Sequence, residues 1–387
     1  MKILFIGEYS NVHATLAKGL RTLGHEVCVI SNGDFWKNYP RDVDVTRTPG
    51  RLGGILLMAR IYSLLPKMRG YDIVQLINPM FFELKAERLF WFYKWLRRNN
   101  KRLILGAYGM DYYWVHECVT NKPLRYSDFN IGDELRTDPD AMKERHDWLG
   151  TAKERLNKMI ANDCEGIVTG LYEYDVCYRP HFPAKTMFIP YPIIPANPTI
   201  PTSPTLPIKI FVGISRARSA YKGTDVMFRA AQDLATRYPD RVVLTVAEGI
   251  AFSKYQDMLA SSDVLLDQLY SYTPAMNALL AMSKGIVVVG GGEPENYDIL
   301  RHECRSVARN LRHESRSVAC NLGETELRPI INVQPSYDSV YRELEQLVLH
   351  PERLPQLKQQ SVDYILRHHD YLKVARAYET FYTKKLC

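Results

Sequence analysis

The sequence predicts an α/β protein of two domains, each built on a Rossmann-like strand–helix–strand core, and three observations carry that prediction. The chain opens on KILFIGEYSNVHATLAKGLRTLGHEVCVIS, an apolar run, a glycine-containing turn, a helical pattern and a second apolar run. Ser262–Glu295 repeats the order: β-type runs at Val264–Leu266 and Ile286–Val289 flank Ala275–Ser283, a segment of good helix formers. Between the two, prolines recur at 190, 192, 195, 198, 201, 204 and 207, a density that excludes helix or central strand and favours an extended connector. A chain of 387 residues divides naturally into two domains of roughly 180.

The elements follow in order. Lys2–Gly7 and Glu26–Ser31 are parallel strands around a helix, and they lack the glycine fingerprint of dinucleotide binding, which disfavours a nicotinamide cofactor. Asp72–Leu76 is a further strand. Leu84–Asn99 is a helix whose Phe90, Trp91, Phe92, Trp95 and Leu96 either pack on the sheet or lie, with Arg97, Arg98, Lys101 and Arg102, on an anionic membrane surface; packing is the preferred reading. Arg102–Leu105 leads into Gly106–Asp111. Tyr112, Tyr113, Trp114 and His116 then form an aromatic cluster, suited to a sugar platform or to packing. Asp138–Met159 is helical and Gly166–Leu171 a strand. Past the connector come Lys209–Gly213 and Arg241–Val246 as strands, and Ser253–Ser261 as a helix. In the stretch Ser262–Glu295, Pro274 opens the helix and Gly285 closes it, so the helix N-terminus lies at a strand's carboxyl edge, where phosphate is favoured. HECRSVARNL (302–311) recurs as HESRSVACNL (313–322), a duplication too short for a solenoid and read as a surface insertion. Leu327–Val333 is the last strand, followed by helices over Tyr337–His350 and Pro355–Lys385.

Composition narrows the function. A hydrophobic fraction of 46% supplies ample core, while no run approaches the ~18–20 apolar residues of a membrane-spanning helix. Met1 leads straight into a buried-strand pattern rather than a signal peptide, so the expectation is a cytoplasmic protein. Seven cysteines show neither a CxxC pair nor metal-ligand spacing and are read as reduced thiols; no metal site is expected. A net charge of +7 suits anionic nucleotide sugars or a membrane surface, and no zinc-finger or RRM pattern supports nucleic acid.

Ser262–Glu295 resembles the donor half of the GT-B glycosyltransferases, the large retaining group 1-like set that uses nucleotide-activated sugars. Asp263–Val264, Leu279–Gly285 (LLAMSKG) and Ile286–Val289 carry the resemblance, and Gly24–Val27 (GHEV) matches the acceptor half. Where that family places two Glu residues, this chain has Tyr272 and Leu280. The resemblance implies two domains facing across a cleft: residues 1–190 on the acceptor side, 191–207 as linker, 208–365 binding the nucleotide sugar, and 366–387 as a helix that crosses back to the first domain. It implies donor contacts from Arg216, Lys222, Gly223, Tyr272, Pro274, Asn277 and Glu293, with the cations balancing the diphosphate in place of a metal or other cofactor. His13 and Asp111 are the candidates for the reacting groups; the alternatives are an exposed helix histidine and a helix cap. His25 is read as structural. The implied activity is sugar transfer from a nucleotide-sugar donor to a glycan or glycolipid acceptor in cell-surface polysaccharide synthesis, with peripheral contact at the inner face of the membrane. The rivals are a degenerate GT-B protein that binds glycans or a partner without catalysis, and a GT-B nucleotide-sugar epimerase.

Overall fold

The computed structural model describes residues 1–215, 219–301 and 327–384. The chain forms two compact units. The first comprises Met1–Pro123, Lys143–Pro192 and Tyr371–Cys387, the second Leu124–Met142 and Ile193–Asp370. Leu124–Met142, which the sequence assigns to the first domain, is therefore part of the second unit. The duplicated segment 302–322 lies outside the described residues.

The first unit is a seven-stranded parallel sheet. Its strands are β1 (Lys2–Ile6), β2 (Glu26–Ser31), β3 (Val43–Asp44), β4 (Ile73–Leu76), β5 (Arg102–Ala107), and, after β6 (Asn130–Ile131) and β7 (Glu134–Leu135) of the other unit, β8 (Gly166–Thr169) and β9 (Thr186–Phe188). The order is β3-β2-β1-β4-β5-β8-β9. Register sets Ile3 beside Val27 and Ile73, and Val74 beside Leu103. Ile3–Ile6, Ile73–Leu76 and Leu103–Leu105 are buried throughout, the continuous burial of a parallel sheet covered on both faces. The chain's last helix, Tyr371–Thr383, packs on the first, Val12–Thr22, and buries Val374, Ala375, Tyr378, Phe381 and Tyr382. His25 serves the structure, as expected: its Nε2 meets Glu379 Oε1 at 2.8 Å and its Nδ1 meets the N-terminal amine at 3.1 Å.

One helix packs as the preferred reading has it, and two differ from expectation. Ala86–Asn99 buries Leu89, Phe92, Tyr93 and Leu96 against the unit, so these side chains pack rather than face a membrane. Arg97 pairs with Asp163 and Glu165, Lys101 with Asp72, and Arg102 donates to the carbonyls of Tyr382 and Lys384. Asp138–Met159 is broken into Pro139–Trp148 and Ala152–Asp163 at Gly150, whose φ is +73°. The terminal helix is likewise interrupted: Leu354–Tyr364 passes through a π-turn, Ile365–His369, and stops at Asp370. There the His369 carbonyl leaves the helical ladder and accepts from Ile193 N at 2.7 Å.

The second unit holds a five-stranded parallel sheet of β10 (Ile208–Ile214), β11 (Val242–Glu248), β12 (Val264–Leu266), β13 (Val287–Gly290) and β14 (Ile331–Asn332), in the order β11-β10-β12-β13-β14. Ile208, Ile210 and Val212 enter one core with Met227, Leu234, Val264, Val287 and Leu344. Residues 194–207 form no helix or strand, as the prolines require. The short antiparallel pair β6–β7 turns at Gly132–Asp133.

Candidate functional site

In both sheets the strand order reverses beside the first strand, between β1 and β4 in one unit and between β10 and β12 in the other. Open α/β sheets bind ligands in the crevice outside the strand carboxyl ends at such a switch point. In the second unit the described segments leaving that edge are Ser215 and Ser219–Gly223 after β10, Asp267–Ala275 after β12, and Gly291–Glu293 after β13.

The structure brings Lys222, Gly223 and Asn277 together at this edge. Lys222 ends a short helical turn, Ser219–Lys222, and its carbonyl accepts from Leu269 N at 2.9 Å, which ties the turn to the segment after β12. Gly223 is required twice over: its φ is +71°, and a Cβ there would lie 2.6 Å from Leu269 Cβ. Asp267, the first residue past β12, is buried and accepts from Asn277 Nδ2 at 3.1 Å, while the Tyr255 hydroxyl donates to Asn277 Oδ1 at 3.0 Å. Burial raises the Asp267 pKa, opposed by the Asn277 hydrogen bond and the Lys222 charge. Pro274 precedes the helix, which begins at Met276 with Ala275 as its cap. Arg216 lies outside the described residues.

Tyr272 and Glu293 form a second cluster, completed by residues the sequence reading missed. The Tyr272 hydroxyl accepts from Arg125 N at 2.7 Å; its ring lies 4.8 Å from that of Tyr126, and the Arg125 guanidinium sits 5.0 Å over it. Glu293 is buried. Its carboxylate accepts from Arg125 Nη2 at 2.7 Å, from Gln334 Nε2 at 3.1 Å and from the Tyr126 hydroxyl. Arg136 of the same strap, Leu124–Met142, donates to the carbonyls of Ala220 (2.7 Å) and Tyr221 (3.0 Å) and sits 4.2 Å over the Tyr270 ring. The strap thus holds both the Lys222 turn and the Glu293 carboxylate. The signal in the sequence was Gly132–Asp133 between short β-type pairs, a hairpin mark; nothing local announced its partners. Gly291, just past β13, lies hard against protein: a Cβ there would be 2.4 Å from the Ser271 carbonyl oxygen.

His13 and Asp111 in the first unit are both fully buried and do not bond one another. His13 donates from Nδ1 to the Gly7 carbonyl (2.8 Å), accepts at Nε2 from Gln75 (3.1 Å) and stacks on Phe5 at 4.5 Å. Burial lowers its pKa to about 3, against the opposing Gly7 hydrogen bond, so the ring is neutral. It is neither an exposed helix histidine nor open to a ligand. Asp111 caps the helix Tyr112–Thr120, accepting from Trp114 N at 2.9 Å, and its other oxygen accepts from the Tyr178 hydroxyl at 2.7 Å. Burial pushes its pKa up to about 7. The capping alternative is what the geometry displays. Tyr112, Tyr113 and Trp114 are buried too, as packing rather than as a sugar platform.

No family model matches the chain, and no curated protein does. Solved structures do. A sucrose-phosphate synthase from Thermosynechococcus elongatus is similar at a TM-score of 0.58 and 12% identity, over 99% of this chain and 98% of that one. Anabaena HepE, solved in complex with UDP and glucose, is similar at 0.55 and 12%, over 99% and 100%. The UDP-GlcNAc 2-epimerase from Neisseria meningitidis, bound to UDP-GlcNAc, is similar at 0.50 and 11%, over 99% and 100%. Likeness at this identity speaks for architecture, and over essentially the whole chain it says one thing: the protein has the GT-B fold of the glycosyltransferases.

Proposed function

We propose that the chain is a glycosyltransferase that moves a sugar from a nucleotide-sugar donor to a glycan or glycolipid acceptor, with retention of configuration, in cell-surface polysaccharide synthesis. The observation that carries this is Lys222–Gly223 held at the switch point of the second sheet, beside Asp267 and Asn277. Negative charge grows on the diphosphate as the sugar–phosphate bond breaks, and a fixed ammonium there interacts more strongly with the transition state than with the intact donor. Arg216 is the second cation, and the N–H groups at the start of Met276–Ser283 add to them, so phosphate charge is met without metal or cofactor. UDP in the HepE structure and UDP-GlcNAc in the epimerase structure support a uridine nucleotide for this chain. Tyr272 and Glu293 then border the sugar, and the strap that holds them fixes their places. The protein works in the cytoplasm, at the inner face of the membrane; among the described residues no helix is long and apolar enough to cross it.

The test is sugar transfer and nucleotide binding measured side by side on wild type and Lys222→Ala. The substitution should cost about 2–4 kcal/mol of transition-state stabilisation, roughly 30- to 1,000-fold in kcat/KM. A wild type that binds no member of a panel of nucleoside diphosphates and nucleotide sugars ends the proposal.

One specific observation favours a second reading. The epimerase from Neisseria shares the fold over the full length of both chains, and the glutamates of the transferase pattern are replaced here by Tyr272 and Leu280. Epimerisation of a nucleotide sugar with no acceptor present distinguishes it. Binding of glycan without turnover of any donor would instead mark the chain as a non-catalytic GT-B protein.

A further inference from the structure

The helix Gly53–Leu64 (GGILLMARIYSL) is apolar on both sides. Gly53, Leu57 and Ile61 face the first unit's core, as the spacing of an amphipathic helix requires. The opposite side should be polar and is not: Leu52 is 66% exposed, Ile55 61%, Leu56 57% and Tyr62 44%. Tyr62 extends this face sideways, its ring 5.1 Å from that of Trp91, itself 45% exposed. Scattered single hydrophobes on a surface need no explanation, but a contiguous patch of this kind does.

The charge around it is mostly positive, with exposed Glu87, one turn before Trp91, as an acidic exception. Val45–Tyr71 contains Arg47, Arg51, Arg60, Lys67 and Arg69 and not one Asp or Glu. All five are exposed, as are Arg88 and Lys94, which stand three residues either side of Trp91 on its helix. Of the four basic residues that the sequence alone offers for a membrane, Arg97, Lys101 and Arg102 are instead occupied by Asp163, Glu165, Asp72 and backbone carbonyls, while Arg98 is exposed.

We infer that this face, Leu52–Tyr62 with Trp91, docks the protein on an anionic lipid bilayer. Aliphatic side chains enter the acyl boundary, Tyr62 and Trp91 sit at headgroup depth, and the arginines lie among the phosphates. A second copy of the chain is the poorer occupant, because a two-fold contact would set one predominantly cationic rim against another. Nucleic acid would leave Leu52, Ile55 and Leu56 without partners, since bases stack on aromatic rings rather than on aliphatic side chains. The inference locates the membrane contact of the proposed function, yet it stands on vesicle binding alone, whereas the transferase reading stands on nucleotide binding.

The experiment is flotation of the full chain with vesicles of phosphatidylcholine, alone or mixed with phosphatidylglycerol, at low and at physiological salt. Wild type should float with the mixed vesicles and weaken as salt rises. Arg51→Gln, Arg60→Gln and Arg88→Gln together should lower the partition coefficient about a hundredfold, roughly fivefold for each cation. Ile55→Ser with Leu56→Ser should lower it at least ~10-fold, and because both side chains already stand in water the unfolding midpoint should not move. Arg342→Gln, an exposed cation of the second unit, is the control and should float as wild type does. Wild type that ignores mixed vesicles at low salt overturns the inference, as do variants that float like wild type. So does a wild-type dimer by light scattering that the serine variant dissolves, which would give the face to a second copy.

Discussion

His13 makes the most direct test of the first unit's interior. In the folded chain its imidazole is buried and neutral, with a pKa near 3, against 6.5 when unfolded. Between those values the unfolded chain binds the extra proton and the folded chain does not, so stability rises with pH through that window and is lost as pH falls below 6.5. The ring is wholly enclosed, so no solvent screening reduces the effect. Integrating the linkage gives a loss of about 2 kcal/mol at pH 5 and about 3 kcal/mol at pH 4, relative to pH 8. The perturbation is His13→Gln, an amide that does not titrate. Urea unfolding of wild type and variant at pH 8 and pH 5 isolates the effect, since groups titrating in both proteins cancel in the difference. The advantage of wild type over the variant should shrink by about 2 kcal/mol on going to pH 5. A difference that does not change with pH, or a folded-state imidazole resonance titrating near 6.5, would refute the reasoning.

Further outcomes follow from the same structure. Gly223→Ala should destabilise the second unit by about 1–3 kcal/mol and weaken nucleotide binding with it, because the strained backbone and the contact with Leu269 both displace Lys222; unchanged thermal unfolding and nucleotide affinity would contradict this. Tyr178→Phe leaves an Asp111 oxygen buried without its donor and should cost about 1–3 kcal/mol, read from the urea midpoint. Arg125→Ala removes the strap's hold on Glu293 and Glu295. With that guanidinium more than half exposed the loss is about 1 kcal/mol, and cleavage by protease within 124–142 should quicken roughly fivefold.

What the sequence makes legible is what short-range chemistry determines. The apolar runs at Ile3–Ile6 and Val264–Leu266 are strands because they can bury both faces, and Pro274 and Gly285 bound the helix that follows Val264–Leu266 to within two residues. The prolines at 190–207 keep that segment extended whatever surrounds it. The candidate site was less legible, because its membership depends on distant pairs. Glu293 reads as a free acceptor until Arg125 and Tyr126, well over a hundred residues earlier, are found on it. His13 reads as a loop-adjacent histidine until Phe5 and Gln75 close over it. The break at Asp370 has no local cause either: its helical pattern continues, and the competing hydrogen bond comes from Ile193.

The strap also bears on how such a protein can be divided or recombined. A cut in the proline-rich segment looks like a clean separation of two modules. Yet residues 208–365 alone would lack Arg125, Tyr126 and Arg136, leaving Glu293, among the described residues, with Gln334 as its remaining side-chain donor and the Lys222 turn without the hydrogen bonds from Arg136. Residues 1–190 alone would lose Tyr382 from Gln75 and Tyr378 from Tyr108. Exchanging the first half between relatives at that boundary would carry a foreign strap onto the resident carboxyl edge of the second sheet, so pieces 124–142 and 371–383 must be inherited with the unit they pack on. For this chain, the unit of exchange is defined by contact rather than by position along the sequence.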